Sequence, residues 1–213
     1  VKQLLIIRHF NGYDYLARLS IESWRAIGWN GDIVLYSESA TSAKWCKDYR
    51  IITHPPVANF GGQQGAWSMN DCFKAVDVDK YDFIISSDAD IVMKSNPFTE
   101  EVLRSDISGV GAPTEHGFFH YNAEFTILSK RMVNILISQT RQEFDRTIFS
   151  EMIDAYDSVV TDGHYWGYMA KQNNVAHSYC NNNWVHRKFF DYEPREDWTN
   201  IINEIKIIHP KER

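Results

Sequence analysis

The chain has 213 residues, 44% hydrophobic and 14% aromatic, with 7 tryptophans; that suits a single α/β domain with a sizeable core. The formal charge is −6, the pI is about 5.7, and no run of Lys and Arg interrupts the acidic balance. This argues against a nucleic-acid or anionic-membrane surface, so an anionic ligand would need local help from a metal or from helix N-termini. Cys46, Cys72 and Cys180 are widely spaced and make neither a C-x-x-C pair nor a zinc pattern. They read as thiols of a reduced, cytoplasmic protein. The apolar run Leu4–Ile7 is far too short to span a membrane or to form a secretory leader. The chain opens on Val1 and closes on "PKER", as a processed protein or a domain of a longer one would.

In chain order, "QLLIIRHF" (Gln3 to Phe10) predicts a buried first strand, because a continuous apolar run between polar ends suits a parallel strand covered on both faces. "DYLARLSIESWRAIGW" has helical spacing at Leu16, Leu19, Trp24 and Ile27, and Gly28 can stop the helix. "GDIVLYSE" reads as a strand, "SAKWCKDY" as a short helix and "RIITHPP" as a third strand. This β-α-β-α-β opening predicts an α/β fold with a mixed, mostly parallel sheet flanked by helices. "NFGGQQG" (Asn59 to Gly65) reads as a loop and "AWSMNDCFKAVDV" as a helix. The strand "FIISSDADIV" follows, then "NPFTEEVLR" as a short helix with Pro97 in its first turn. "DISGVGAP" and "AEFTILS" predict strands; "KRMVNILISQ", "RTIFSEMIDAY" and "TDGHYWGYMAKQ" predict helices, the last with Asp162 near its N-cap. The tail "EIKIIHPKER" reads as a strand ending in His209. Repeats, low-complexity stretches and linkers are lacking, which predicts one domain over 1–213.

The strand "FIISSD" stops in two aspartates, Asp88 and Asp90. In extended chain, residues i and i+2 face the same way. Two carboxylates so placed repel unless a cation lies between them, although a solvated strand-to-loop turn would also use them. Ligands of open α/β sheets bind beyond the carboxyl ends of the strands. Hard oxygen ligands there select Mg²⁺ or Mn²⁺ and leave sites for diphosphate oxygens. His209, ending another apolar strand, would tilt the preference towards Mn²⁺.

"SSDADIVM", "YNAEFTILS", "TDGHYWGYM" and "IKIIHPKE", in that order after the β-α-β opening, resemble the GT-A fold of nucleotide-sugar glycosyltransferases over nearly the whole chain. The likeness is greatest to the metal-dependent retaining members, the glycogenin-like and lipopolysaccharide galactosyltransferase-like groups. The resemblance implies a metal set of Asp88, Asp90 and His209, holding Mn²⁺ (or Mg²⁺) against the diphosphate of a UDP-sugar. It implies a nucleotide-binding half over about 1–110 and an acceptor half over about 111–213. Base and ribose would lie near Arg8, His9, Phe10 and Asp88; Arg8 is equally well read as a salt-bridge partner. Gln63 and Gln64 would reach the sugar from a lid, or belong to a plain loop before a helix. Asp162 would act beside the anomeric carbon, as a base in an inverting enzyme or as an orienting group in a retaining one, beyond its simpler use as a helix cap. Glu124 and His164 are secondary catalytic candidates.

Two departures stand out. The late motif of those groups often runs His-x-x-Gly-x-x-Lys-Pro, whereas here it is "HPKER", which weakens the case for Lys211 on phosphate. Glu124 in "YNAEF" stands where relatives often carry a small residue. Tyr165, Trp166, Trp184 and the segment Cys180 to Phe190 would supply rings and amides for an acceptor wall, or ordinary core. His116 and His120 lie four apart, but Gly117 and the absent Glu argue against a zinc helix. The expected activity is transfer of a hexose or deoxyhexose to a glycan, glycoprotein or other hydroxyl acceptor, with no nucleic-acid partner and room for further domains in a longer chain. The alternatives are a sugar-phosphate nucleotidyltransferase, for which "RHFNGYDY" lacks the Gly-rich loop and Lys, and a non-catalytic nucleotide- or carbohydrate-binding module.

Overall fold

The structure, a computed structural model, describes residues 1–9, 14–37, 49–53, 63–93, 95–114, 117–152, 160–179 and 185–186. Strands β1 (Gln3–His9), β2 (Asp32–Ser37), β3 (Arg50–Thr53) and β4 (Phe83–Asp88) are joined by crossovers that include helix α1 (Asp14–Ala26) and helix α2 (Gln63–Ala75). After β4 come β5 (Val92–Met93), α3 (Glu100–Leu103), β6 (Ile107–Pro113) and β7 (Phe119–Ser129). Helices α4 (Lys130–Ile137), α5 (Arg141–Arg146) and α6 (Asp162–Gln172) follow, with β8 (His177–Tyr179) and β9 (Val185–His186) last.

Seven of these strands form one sheet in the order β3-β2-β1-β4-β7-β6-β8. Its first four strands are parallel, β7 is antiparallel to both β4 and β6, and β8 is parallel to β6. The sheet is therefore mixed, as the α/β opening predicts. Strand β1 lies inside the sheet, between β2 and β4, with both faces covered. Leu4 and Ile6 join the core beneath α2, α4, α5 and α6, while Leu5 and Ile7 join the core beneath α1 and α3. Alternation along the strand then sends Arg8 to the α6 face and His9 to the α1 face. The chain leaves β1 towards β2 on one side and returns through β4 on the other. That reversal is the topological switch point where open α/β sheets bind ligands.

Helix α1 ends where expected: Gly28 takes φ +82 and its N–H bonds to the Arg25 carbonyl, a conformation that costs a glycine little. Several boundaries differ from the sequence reading. Gln63 to Gly65 form the first turn of α2 and not a loop. Pro97 precedes the short α3, whose N-cap is Thr99, with its side chain accepting from Val102 N–H. Strand β7 begins at Phe119, earlier than Ala123. Helix α5 relaxes into a π-turn over Thr147–Met152. The two-residue strands β5 and β9 pair in a separate antiparallel ribbon; they are too short to leave a sequence period. The predicted helix in "SAKWCKDY" and the strand ending at His209 lie outside the described residues.

Candidate functional site

The carboxyl ends of β1 and β4 lie side by side, and their register sets Arg8 opposite Asp88. Arg8 Nε lies 2.5 Å from Asp88 Oδ1, and Arg8 Nη1 donates to Asp162 Oδ2 at 2.7 Å. Arg8 and Asp162 are nearly sealed, at 5% and 6% side-chain exposure, while Asp88 keeps 20%. One guanidinium thus joins the end of β1, the end of β4 and the start of α6. Burial works against the Arg8 charge, but the two carboxylates outweigh it and hold its pKa above the ordinary value.

Strand β4 ends at Asp88. The next residues turn, with Ile91 N–H reaching the Asp88 carbonyl at 3.3 Å. The aspartates therefore do not share an extended strand, as their spacing suggested. Asp90 is buried in the turn, yet close enough to act on Asp88. Burial is the main force raising the Asp88 carboxyl to about 7; Arg8 opposes it, and Asp90, Asp162 and Glu124 add to it. Asp88 therefore feels three other carboxylates as well as Arg8.

Glu124 owes its place to β7. Opposite β6, the register jumps from Gly109↔Thr126 to Gly111↔Tyr121, so β7 carries extra residues over this stretch. Such a bulge re-aims side chains, and "YNAEF" lies within it. Asp162 is the first residue of α6 and not its cap. Thr161 takes that role, and His164 closes a capping box with its ring nitrogen in place of the usual carboxylate. Asp162 Oδ1 accepts from Gly163 N–H at 3.1 Å, so both of its oxygens are engaged. His164 also stacks flat on His120, with centroids 3.6 Å apart. Burial holds His164 down to about 4, and His120 adds to this. Burial also lowers His120, against the pull of Asp162.

His9 faces the other way. Its Nδ1 lies 2.9 Å from Ser37 Oγ and its Nε2 lies 3.2 Å from Asp14, linking β1 to β2 and α1. Gln63 and Gln64 have their backbone in the first turn of α2. Phe10, His209 and Lys211 lie outside the described residues, as do Trp184 and most of the proposed acceptor wall. Among the described residues, no three His, Cys, Asp or Glu side chains gather as a metal site would need. Tyr165 and Trp166 are fully buried in the α6-side core, so they line no acceptor wall. No described helix is long and apolar enough to cross a membrane.

Neither a known protein-family profile nor a curated protein matches the chain in sequence. Solved structures match it in fold. Galactosyltransferase LgtC, in complex with donor and acceptor sugar analogues, superposes with a TM-score of 0.54 at 11% identity, over 84% of this chain and 73% of that one. Glycosyltransferase GlyE of Streptococcus pneumoniae TIGR4 superposes with a TM-score of 0.55 at 10% identity, over 98% of this chain and 51% of that one. The chain shares its fold with these glycosyltransferases. The chain spans only about half the length of GlyE, and at such identities the likeness is one of fold.

Proposed function

We propose that the chain is a glycosyltransferase that moves a hexose or deoxyhexose from a UDP-sugar to a hydroxyl of a glycan acceptor, with Mn²⁺ or Mg²⁺ and with retention. The observation that carries this reading is the acidic cluster at the switch point of a glycosyltransferase fold. Asp90, Asp162 and Glu124 all act on Asp88 there, and Arg8 opposes them. Asp88 and Asp90 would suit a hard divalent cation: Asp88 keeps 20% side-chain exposure, and Asp90 follows in the adjoining turn. Asp88 and Asp90 would hold the metal, with His209 as the third ligand. When bound, the metal supplies Lewis-acid stabilisation of the diphosphate as it gains charge.

The chain's own groups would do the rest. In the reaction the anomeric C–O bond to phosphate breaks and a bond to the acceptor oxygen forms on the same face. The acceptor proton passes to the departing phosphate. Asp162 suits orientation better than proton abstraction, because Arg8 and the Gly163 N–H already hold its two oxygens. Arg8 keeps the carboxylates of β4 and α6 at a fixed spacing while the donor lies across them.

Titration calorimetry of UDP, with and without Mn²⁺, on the wild type and on Asp90→Ala tests the site. Binding that needs both the metal and Asp90 is expected, followed by release of UDP from a UDP-sugar. Binding indifferent to both would sink the metal assignment. Metal-dependent binding with no UDP release from any donor would favour a non-catalytic binding module.

A further inference from the structure

The stacked histidines join the candidate site to the strand behind it. His120 sits on β7 and His164 in the first turn of α6, with 7° between their ring planes. The flat face of the His120 ring is what meets His164. His164 is held through Nδ1, which accepts from Thr161 N–H at 3.3 Å and lies 2.8 Å from Thr161 Oγ1. A ring nitrogen that accepts a backbone N–H carries no proton, so the neutral ring is the Nε2–H tautomer. The same capping box fixes Thr161, and with it the direction in which the next residue leaves the helix end. That residue is Asp162, which holds Arg8.

The packing of α6 on β7 keeps the two rings in register. Gly167 lies about one turn beyond His164, and a Cβ there would overlap the Phe119 carbonyl. Phe119 is the immediate neighbour of His120 on β7. The helix therefore sits directly on the strand backbone at the level of the stack.

We propose that His120 is a positioning residue for Asp162: its ring backs His164, and His164 holds the capping box that aims the Asp162 carboxylate at Arg8. This rests on the reading of the site as a glycosyltransferase centre in which Asp162 orients the donor. His120 itself touches no reacting atom.

Two variants separate packing from chemistry. His120→Ala removes the ring, while His120→Phe keeps a flat face and removes both nitrogens. Steady-state UDP release from UDP-glucose and UDP-galactose is followed alongside an NMR titration of the His164 ring. In His120→Ala, kcat should fall by roughly tenfold to a hundredfold, the scale expected when a catalytic group is slightly misplaced, while KM for the donor barely moves. His164 should then titrate above about 4, because the stacked ring covers it and adds to the lowering. His120→Phe should recover most of the kcat. Should His120→Ala fail to fold, His120→Leu, apolar but not planar, takes its place in the comparison. Full activity in the variant without a ring overturns the proposal. Equal loss in the Phe variant also overturns it, because the nitrogens would then be what matters. A wild type that releases no UDP sinks the glycosyltransferase reading instead. The His164 titration then decides the positioning role, and an unchanged curve in His120→Ala overturns it.

Discussion

Arginine–carboxylate pairs occur in two settings in this molecule. At the carboxyl end of the sheet, Arg8 is wedged between Asp88 and Asp162, almost out of water. On the outer surface, Arg104 pairs with Glu100 and Arg18 with Glu22, at i and i+4 along their helices, largely in solvent. The chemical groups are the same, but their energetics differ. An exposed pair gains little, because water screens both charges and the side chains lose freedom. A buried pair gains strong attraction but costs a large desolvation, and often contributes less than an apolar substitute would. Three charged groups held inside a core are therefore poorly explained by stability alone. They are better explained by a site that needs a fixed field, which is the reading offered for the end of β4.

The largest test of that contrast is Arg8→Met. Removing the cation leaves Asp88 and Asp162 facing one another with no arginine between them. Breaking a buried pair from one side costs about 3–5 kcal/mol, which for a chain of this size lowers Tm by roughly 6–20 °C. Thermal and urea melts measure it. A loss no greater than that of a surface pair would put the triad in the same class as the exposed pairs.

A smaller effect comes from the edge of the same region. His164 is neutral in the fold because burial, and then His120, hold it down to about 4 from 6.5. The unfolded chain takes up a proton as the pH falls through 6.5, and the native ring resists until about 4. Its contribution is thus fully present above about 6.5 and is lost as the pH falls from there towards 4. The wild type should lose more Tm between pH 7 and pH 4.5 than His164→Gln does. The ring is only half-buried, so the difference should be smaller than that of Arg8→Met. Parallel loss in both proteins would mean that other groups carry the acid sensitivity.

Much of the frame was legible from the sequence because it follows from local pattern. Leu4 to Ile7 and Phe83 to Ile85 are apolar runs that suit strands covered on both faces; of the expected stripe of α1, Trp24 is in the core and Leu16 and Ile27 pack against it, while Ala17 and Ile21 join it unannounced. The aspartate pair announced the end of β4, and Thr161–Asp162 announced the start of α6. Pairing between distant elements has no local period. Nothing near Arg8 signals Asp162, 154 residues away. The β7 bulge comes from register with β6, although the unusual "YNAEF" lies on it. His120 was set aside as half of a failed zinc pair; its partner proved to be His164, which the helix start places against β7. Ring content alone does not say which face of α6 is covered, so Tyr165 and Trp166 stayed open between acceptor wall and core, and they are core.

The smallest effect expected is at Arg104→Ala, and its size is what gives the contrast meaning. Arg104 lies 3.1 Å from Glu100, a distance close to those in the triad, but the two side chains are 80% and 86% exposed. Glu100 precedes Arg104 by one turn, the favourable order along a helix dipole, and Thr99 caps α3 independently of the pair. Truncation should therefore cost about 0.5 kcal/mol or less, and less still as salt is added, because exposed charges are screened within about 8 Å at physiological ionic strength. Melts at low and high salt would check both statements. A salt-insensitive loss above about 1 kcal/mol would mean that solvent exposure does not separate the two kinds of pair. The cost expected at Arg8 would then lose its link to burial and, with it, the argument that the fold spends stability at the end of β4 for the sake of a site.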